Sequence, residues 1–89
     1  MVSPITLDAL RVLDAIERRG SFAAAAEALH RVPSAISYSV QKLEEELGVP
    51  LFDRSRRKAE LTDAGHLVLA HGRRILLATE EMTALARQA

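Results

Sequence analysis

A run of four alanines at positions 23–26 is the feature that most constrains how this sequence can fold. The run lies in FAAAAEAL, residues 22–29, directly after Ser21, a favourable helix N-cap. Alanine combines high helix propensity with almost no side-chain bulk. The sequence therefore predicts a short, slim helix that a neighbouring helix can cross closely. A generic alanine-rich core helix would have the same composition, so the run by itself identifies no function.

The composition predicts one small domain with an aliphatic core. The chain has 89 residues, of which 48% are hydrophobic and only 3% aromatic. It has no cysteine, and His66 and His71 lie five apart, which is a poor spacing for a metal pair on one helix face. No apolar run approaches the ~18 residues that a membrane span needs. We therefore expect a cytoplasmic protein without a metal or other cofactor.

The charges are balanced in number but not in distribution. Twelve basic residues offset twelve acidic ones, whereas proteins that bind nucleic acids usually carry a basic excess. However, no acidic residue occurs between Glu27 and Glu44, and four basic residues fall within positions 54–58. These two acid-poor regions can attract phosphate even on a neutral chain.

Three further helices are predicted, so the fold class is mainly α. Thr6 is a plausible N-cap for residues 7–19, and Gly20 is a good C-terminal stop. Pro33 suits the first turn of a helix that Gly48 ends. Thr62 caps a last helix that runs to the end of the sequence and contains two glycines that weaken it, at 65 and 72.

The helix after Pro33 has two distinct faces. Its apolar face faces the predicted core and consists of Ile36, Val40, Leu43 and Leu47. Its polar face consists of Ser34, Ser37, Tyr38 and Gln41. Because this face is uncharged, it can approach a polyanion and form hydrogen bonds with base edges. Residues 44–46 are all glutamate, and we expect them to remain in water behind it. A solvated helix surface with serines that favour its N-terminus is the alternative.

A two-stranded wing is predicted between Gly48 and Thr62. Leu51 and Phe52 are apolar, residues 58–61 alternate polar with apolar, and RSRRK, residues 54–58, forms a basic tip between them. Arginines in such a tip suit phosphates or a narrow minor groove, where the potential is most negative. A merely solvated hairpin tip is the alternative.

The last helix carries a heptad pattern that we call the seam. Its positions are Val68, Ile75, Met82 and Leu85, and His71 interrupts it. A helix this long, with apolar residues on much of its surface, exceeds what an 89-residue domain can cover. Pairing with the same helix of a second copy would cover it, as would packing against the first helix, and both can hold for different parts of its length.

Residues 21–65 resemble the N-terminal DNA-binding domain of LysR-type transcriptional regulators. The motifs that carry the resemblance are GSF, the paired alanines, SAIS, LEEELG, LFDR and LTDAG, all at the spacings of that family. The resemblance implies a winged helix-turn-helix in residues 1–62 and a linker helix in 63–89 that pairs two domains. It also implies binding to interrupted, A/T-containing palindromes in bacterial DNA. An effector-binding domain follows the linker helix in the family and is absent from this sequence.

The resemblance also implies which residues contact DNA. Recognition-helix contacts fall on Pro33, Ser34, Ser37 and Tyr38, to which the polar face adds Gln41. A contact to the minor groove falls on Arg57, and a contact to the DNA backbone falls on Arg54. The family most often has arginine at 38, and glutamine at 33 and 39. With tyrosine, proline and serine there, we expect fewer strong base contacts and more dependence on the wing and on DNA shape.

Two other classes of function remain to be weighed. A helical protein-interaction or oligomerisation module would explain the last helix but neither the acid-free polar face nor the arginine-rich tip. An enzyme is the least supported class. The serines have no histidine and acidic partners at a spacing typical of a catalytic triad, and no glycine-rich phosphate loop occurs.

Overall fold

The structure of the protein is a computed structural model that describes residues 5–55 and 58–89. It contains four α-helices and one two-stranded antiparallel sheet, in which Phe52 pairs with Leu61 and Asp53 with Glu60. The elements are α1 Leu7–Arg19, α2 Phe22–Ala28, α3 Pro33–Leu47, β1 Phe52–Asp53, β2 Glu60–Leu61 and α4 Asp63–Gln88. This arrangement confirms the predicted class, a mainly α winged helix-turn-helix with a long C-terminal helix.

The ends of the helices follow the local signals in the sequence. The hydroxyl oxygens of Thr6, Ser21 and Thr62 each accept a 3.0 Å hydrogen bond from the backbone N–H three residues later. Gly20 and Gly48 end α1 and α3 in the left-handed conformation, with φ of 88° and 72°. Because each signal acts within about one turn of helix, these bounds could be read from short segments.

The core lies where α1, α2 and α3 cross, closed on one side by the wing and the start of α4. Its aliphatic centre includes Leu13, Ile16 and Ile36, each at most 1% exposed. Ala25 and Ala26 of α2 are buried in the same cluster. The small alanine side chains bring α2 close to its neighbours, as the alanine run predicts. The apolar face of α3 is the face that enters this core.

The turn between α2 and α3 is a Schellman motif. The His30 N–H donates to the Glu27 carbonyl at 3.2 Å, and the Arg31 N–H donates to the Ala26 carbonyl at 2.9 Å. His30 takes the left-handed conformation, with φ of 56°, at a position where glycine is usual. This turn fixes the direction in which α3 leaves α2.

Helix α4 lies against the rest of the domain through its two glycines. A Cβ atom on Gly65 would lie 2.1 Å from the Leu51 carbonyl oxygen, and one on Gly72 would lie 3.0 Å from Leu10 Cδ2. Both glycines are buried. The expectation that they merely weaken the helix was therefore incomplete, because they allow α4 to approach the wing and α1 closely.

Candidate nucleic-acid interface

The polar face of α3 lies on the surface of the domain. All five predicted recognition-helix residues are exposed, and Tyr38 is 64% exposed. The buried residues of the helix, Ile36, Val40 and Leu43, lie on another side. The structure thus brings Pro33, Ser34, Ser37, Tyr38 and Gln41 together on one accessible face.

The N-terminus of α3 has an unusual cap that the sequence reasoning missed. Val32 is the N-cap residue, so no side-chain oxygen accepts a hydrogen bond there. Its side chain is 63% exposed and lies next to Pro33. Valine ranks among the poorest N-cap residues, and this low ranking could have predicted the uncapped N-terminus. An exposed apolar residue therefore lies directly before the polar face.

Glu44 does not remain in water, contrary to what the sequence predicted for residues 44–46. Its Oε2 atom accepts hydrogen bonds from the backbone N–H groups of Leu51, at 2.7 Å, and Phe52, at 3.3 Å. The side chain is only 16% exposed, whereas Glu45 and Glu46 are exposed residues. The physical reason is that the chain turns back after Gly48 and presents two N–H groups to this carboxylate. Glu44 therefore joins α3 to the start of the wing.

Arg54 lies at the end of the wing that faces α2 and α3. Its Nη2 atom is 3.4 Å from Oε1 of Glu44, and its guanidinium carbon is 5.4 Å from the centre of the Phe22 ring. Half of the side chain remains exposed. The structure thus holds Arg54 against two other elements while leaving part of its guanidinium accessible.

The wing tip is partly described. Asp53 Oδ1 accepts hydrogen bonds from the Ser55 N–H, at 2.9 Å, and from the Ser55 hydroxyl, at 2.6 Å, which bends the chain after β1. Lys58 is exposed on the other side of the tip. Arg57, the predicted minor-groove residue, lies outside the described residues.

An ion pair ties the turn before α3 to the start of α1. Arg31 donates from Nη1 to Asp8 Oδ2 at 2.8 Å and from Nη2 to Asp8 Oδ1 at 2.5 Å. These hydrogen bonds, and secondarily the positive charge of Arg31, lower the pKa of the Asp8 carboxyl below its ordinary value. The sequence placed Asp8 only as a favourable residue in the first helical turn, so this long-range role was missed.

Helix α4 has one face against α1 and another in solvent. On the inner face, Arg73 donates from Nε to Asp14 at 2.7 Å and from Nη2 to Glu17 at 2.5 Å. Of the seam positions, Val68 is half-buried and packs against the core. Ile75, Met82 and Leu85 are 48%, 64% and 67% exposed. The first part of α4 thus packs within the domain, and the seam beyond Val68 is open.

Within residues 5–55 and 58–89, no group of three or more histidine, cysteine, aspartate or glutamate side chains could hold a metal ion. None of the helices in that part of the chain is long and apolar enough to cross a membrane.

Comparison with known sequences places this geometry in a family. Residues 7–66 match the model of the bacterial regulatory helix-turn-helix proteins of the lysR family. The probable HTH-type transcriptional regulator YhaJ of Escherichia coli is 59% identical over 87 residues, which cover 93% of this chain and 29% of the relative. A probable RuBisCO transcriptional regulator of Synechocystis is 53% identical over 78 residues, or 88% of this chain and 23% of the relative. The chain therefore spans less than a third of these relatives.

Solved structures with DNA share the same fold. The BenM_DBD/catB site 1 DNA complex is 30% identical, with a TM-score of 0.89 and coverage of 94% of both chains. The CbnR_DBD–DNA complex is 38% identical, with a TM-score of 0.88 and coverage of 94% of this chain and 97% of that one. The family match covers most of the chain, and the fold agrees throughout. The chain belongs to the LysR family of bacterial helix-turn-helix regulatory proteins.

Proposed function

We propose that this chain binds double-stranded DNA in a sequence-dependent manner, with α3 as the recognition helix in the major groove. The observation that carries the proposal is the exposed polar face of α3, which begins at Pro33 and includes no acidic residue before Glu44. An α-helix fits the major groove, and serine, glutamine and tyrosine can hydrogen-bond to bases or phosphates there. Two similar domains have been solved as complexes with DNA, which supports DNA binding by this chain.

The wing would contact the neighbouring minor groove and the phosphates that border it. Arg54 is accessible and held at the base of the wing, so it suits a phosphate. For Arg57 the support is the basic sequence of the tip and the family pattern alone. Together these contacts would set the register of α3 without reading bases.

The recognition helix would make fewer strong contacts to bases than one with arginine at position 38 and glutamine at position 33. Tyr38 offers one hydroxyl and a ring that can pack on a thymine methyl, whereas arginine binds guanine with two hydrogen bonds. Pro33 has no side-chain donor or acceptor. Sequence preference would therefore depend more on the shape and deformability of the DNA.

The protein would act as a homodimer through α4. Its exposed seam residues, Ile75, Met82 and Leu85, would be covered by the same helix of a second copy. A two-fold axis between the domains would bring two copies of α3 to half-sites of an interrupted palindrome.

The setting that we propose is the bacterial cytoplasm, in a regulator of transcription rather than an enzyme. The relatives are named as transcriptional regulators, which supports the regulatory role. In longer members of the family, a small-molecule effector would act through a domain that follows α4.

The test of the proposal compares affinities for a preferred duplex and an unrelated duplex. Tyr38→Ala should weaken binding to the preferred duplex more than binding to the unrelated one, because it removes base contacts rather than phosphate contacts. Arg57→Ala should lower the slope of log affinity against log salt by about one phosphate contact. Arg87→Ala, at the far end of α4, is the control and should leave both quantities unchanged.

Each variant can contradict its own part of the proposal. Equal loss on both duplexes would make Tyr38 a positioning contact, and an unchanged salt slope would remove Arg57 from the interface. If the wild-type chain bound no duplex at low salt, the polar face of α3 would be an ordinary solvent-exposed helix surface. The alternative function, a helical protein-interaction or oligomerisation module, would then replace DNA binding.

A further inference from the structure

We propose that Glu44 is a positioning residue for DNA binding, which holds Arg54 and the start of the wing in a fixed place relative to α3. The inference rests on the proposed function, because a fixed geometry between helix and wing matters only if both contact one duplex. It assigns to an acidic residue of the recognition helix a role that its charge alone would oppose.

A pair of backbone hydrogen bonds ties Glu44 to the start of the wing. Its Oε2 atom accepts from the N–H groups of Leu51 and Phe52, at 2.7 and 3.3 Å. Phe52 begins β1, so these bonds attach the first strand of the wing directly to α3. Hydrogen bonds to an ionised acceptor are stronger than neutral ones, and this carboxylate is largely shielded from water. The wing therefore cannot shift along α3 without losing them.

Arg54 is held between α2 and α3. The other carboxylate oxygen, Oε1, lies 3.4 Å from Arg54 Nη2, and the Phe22 ring lies 5.4 Å from the guanidinium carbon. Phe22 packs in turn edge-to-face on Phe52, with ring centres 5.2 Å apart. Guanidinium has five N–H donors, so the contact to Glu44 leaves others for a phosphate. One long side chain is thus ordered before DNA arrives.

An acidic residue near DNA has an electrostatic cost. A carboxylate on the recognition helix repels phosphates, and removing it would by itself strengthen non-specific binding. A positioning role offsets that repulsion, because an ordered Arg54 loses less side-chain entropy when it binds. Glu44 would therefore favour the preferred duplex over all others rather than raise affinity in general.

The test uses the whole chain and two duplexes of equal length, one selected by the wild-type protein from a random pool and one of unrelated sequence. In Glu44→Gln the amide oxygen still accepts from the Leu51 and Phe52 N–H groups, while the negative charge beside Arg54 is lost. We expect a roughly two- to tenfold weaker affinity for the selected duplex, the cost of ordering one long side chain on binding. Affinity for the unrelated duplex should stay equal or rise.

Two comparisons separate positioning from a purely structural role. Glu45→Gln removes the same charge one residue later, at an exposed position, and should cause no loss on the selected duplex. In an Arg54→Ala background, Glu44→Gln should cost nothing further, because the residue that it positions is absent. Phe22→Leu removes the ring but keeps apolar bulk. It should weaken affinity for the selected duplex in the wild-type background but not in the Arg54→Ala background.

The outcomes distinguish the inference from the function on which it rests. If Glu44→Gln lowers affinity for the selected duplex as much in the Arg54→Ala background as in the wild type, Glu44 supports only the fold and the inference is overturned. No loss from either Glu44→Gln or Phe22→Leu in the wild-type background also overturns it, while DNA binding by the wild type stands. If the wild type binds neither duplex, the proposed function fails and the inference fails with it.

Discussion

At the scale of single residues, His30 bears the conformational strain of the turn before α3. It has a φ of 56°, in a region that costs a non-glycine residue about 1–2 kcal/mol. No local signal predicts this strain, because glycines such as Gly20 and Gly48 mark left-handed helix ends and histidine does not. The hydrogen bonds of the Schellman motif hold His30 in place.

His30→Gly should raise the free energy of unfolding by about 0.5–1 kcal/mol, since glycine removes the strain but adds disorder to the unfolded chain. Urea unfolding of the purified domain measures the change. The matched reverse variant is Gly48→Ala, at a φ of 72° with open space around the added methyl group, and it should lose a similar amount. A less stable His30→Gly variant would show that the imidazole makes a contact worth more than the strain.

The ion pair between Asp8 and Arg31 makes part of the stability depend on pH. Because the pKa of Asp8 is lowered in the folded state, its contribution is present above the ordinary carboxyl pKa near 3.8 and is lost as the pH falls through the lowered value. Asp8→Asn should be modestly less stable at pH 7, and the difference should shrink in acid and in high salt. Urea unfolding across a pH series tests this, and a difference that is the same at pH 7 and pH 2 would exclude the ion pair as its source.

At the scale of elements, the contact between α4 and the wing depends on close backbone approach. The Thr62 N–H donates to the Leu51 carbonyl at 2.9 Å, and the Thr62 hydroxyl donates to the Pro50 carbonyl at 2.7 Å. Gly65 lies directly over the same Leu51 carbonyl. These contacts join the segment just before β1 to the first turn of α4.

Gly65→Ala should lower the free energy of unfolding by about 1–3 kcal/mol, because the added Cβ meets a backbone oxygen that cannot move away cheaply. Gly72→Ala is the control. Its Cβ meets a leucine methyl group at 3.0 Å, and the gain in helix propensity, about 1 kcal/mol, opposes that contact. Thermal and urea unfolding should show that the Gly65→Ala variant is much less stable than the Gly72→Ala variant. The reverse order would show that the approach of α4 to the Leu51 carbonyl is not close.

Local signals predicted the elements better than they predicted the contacts between them. Caps, alanine content and apolar spacing gave the helix bounds to within about one residue, because each acts within a turn or two of helix. Glu44 was misplaced because helical spacing alone put it with Glu45 and Glu46. Only the return of the chain after Gly48 brings N–H groups to its carboxylate, and that depends on the packed wing. Arg73 likewise reaches Asp14 and Glu17 across more than fifty residues.

At the scale of the whole molecule, α4 extends beyond the domain that it stabilises. With 26 residues it is about 39 Å long, and the molecule measures 49 Å along its longest axis. The exposed seam residues lie toward its far half. A second copy of the chain is the partner that we expect there.

Ile75→Glu combined with Met82→Glu should convert a dimer to a monomer in sedimentation experiments without unfolding the domain, because both side chains are exposed. Charged residues in a paired seam lose their hydration without compensation. Leu77→Glu is the control, since Leu77 is also exposed but lies about 140° round the helix from Met82. A wild-type chain that is already monomeric at high concentration would contradict the seam.

We expect the exposed polar face of α3 to read DNA as one half of a symmetric pair. The most direct measurement is selection of bound duplexes from a random pool by the purified chain. We expect enrichment of an interrupted palindrome with A/T-rich half-sites, spaced to suit two copies of α3. Enrichment of a single half-site would contradict the dimer, and enrichment of nothing at low salt and high protein concentration would contradict DNA reading itself.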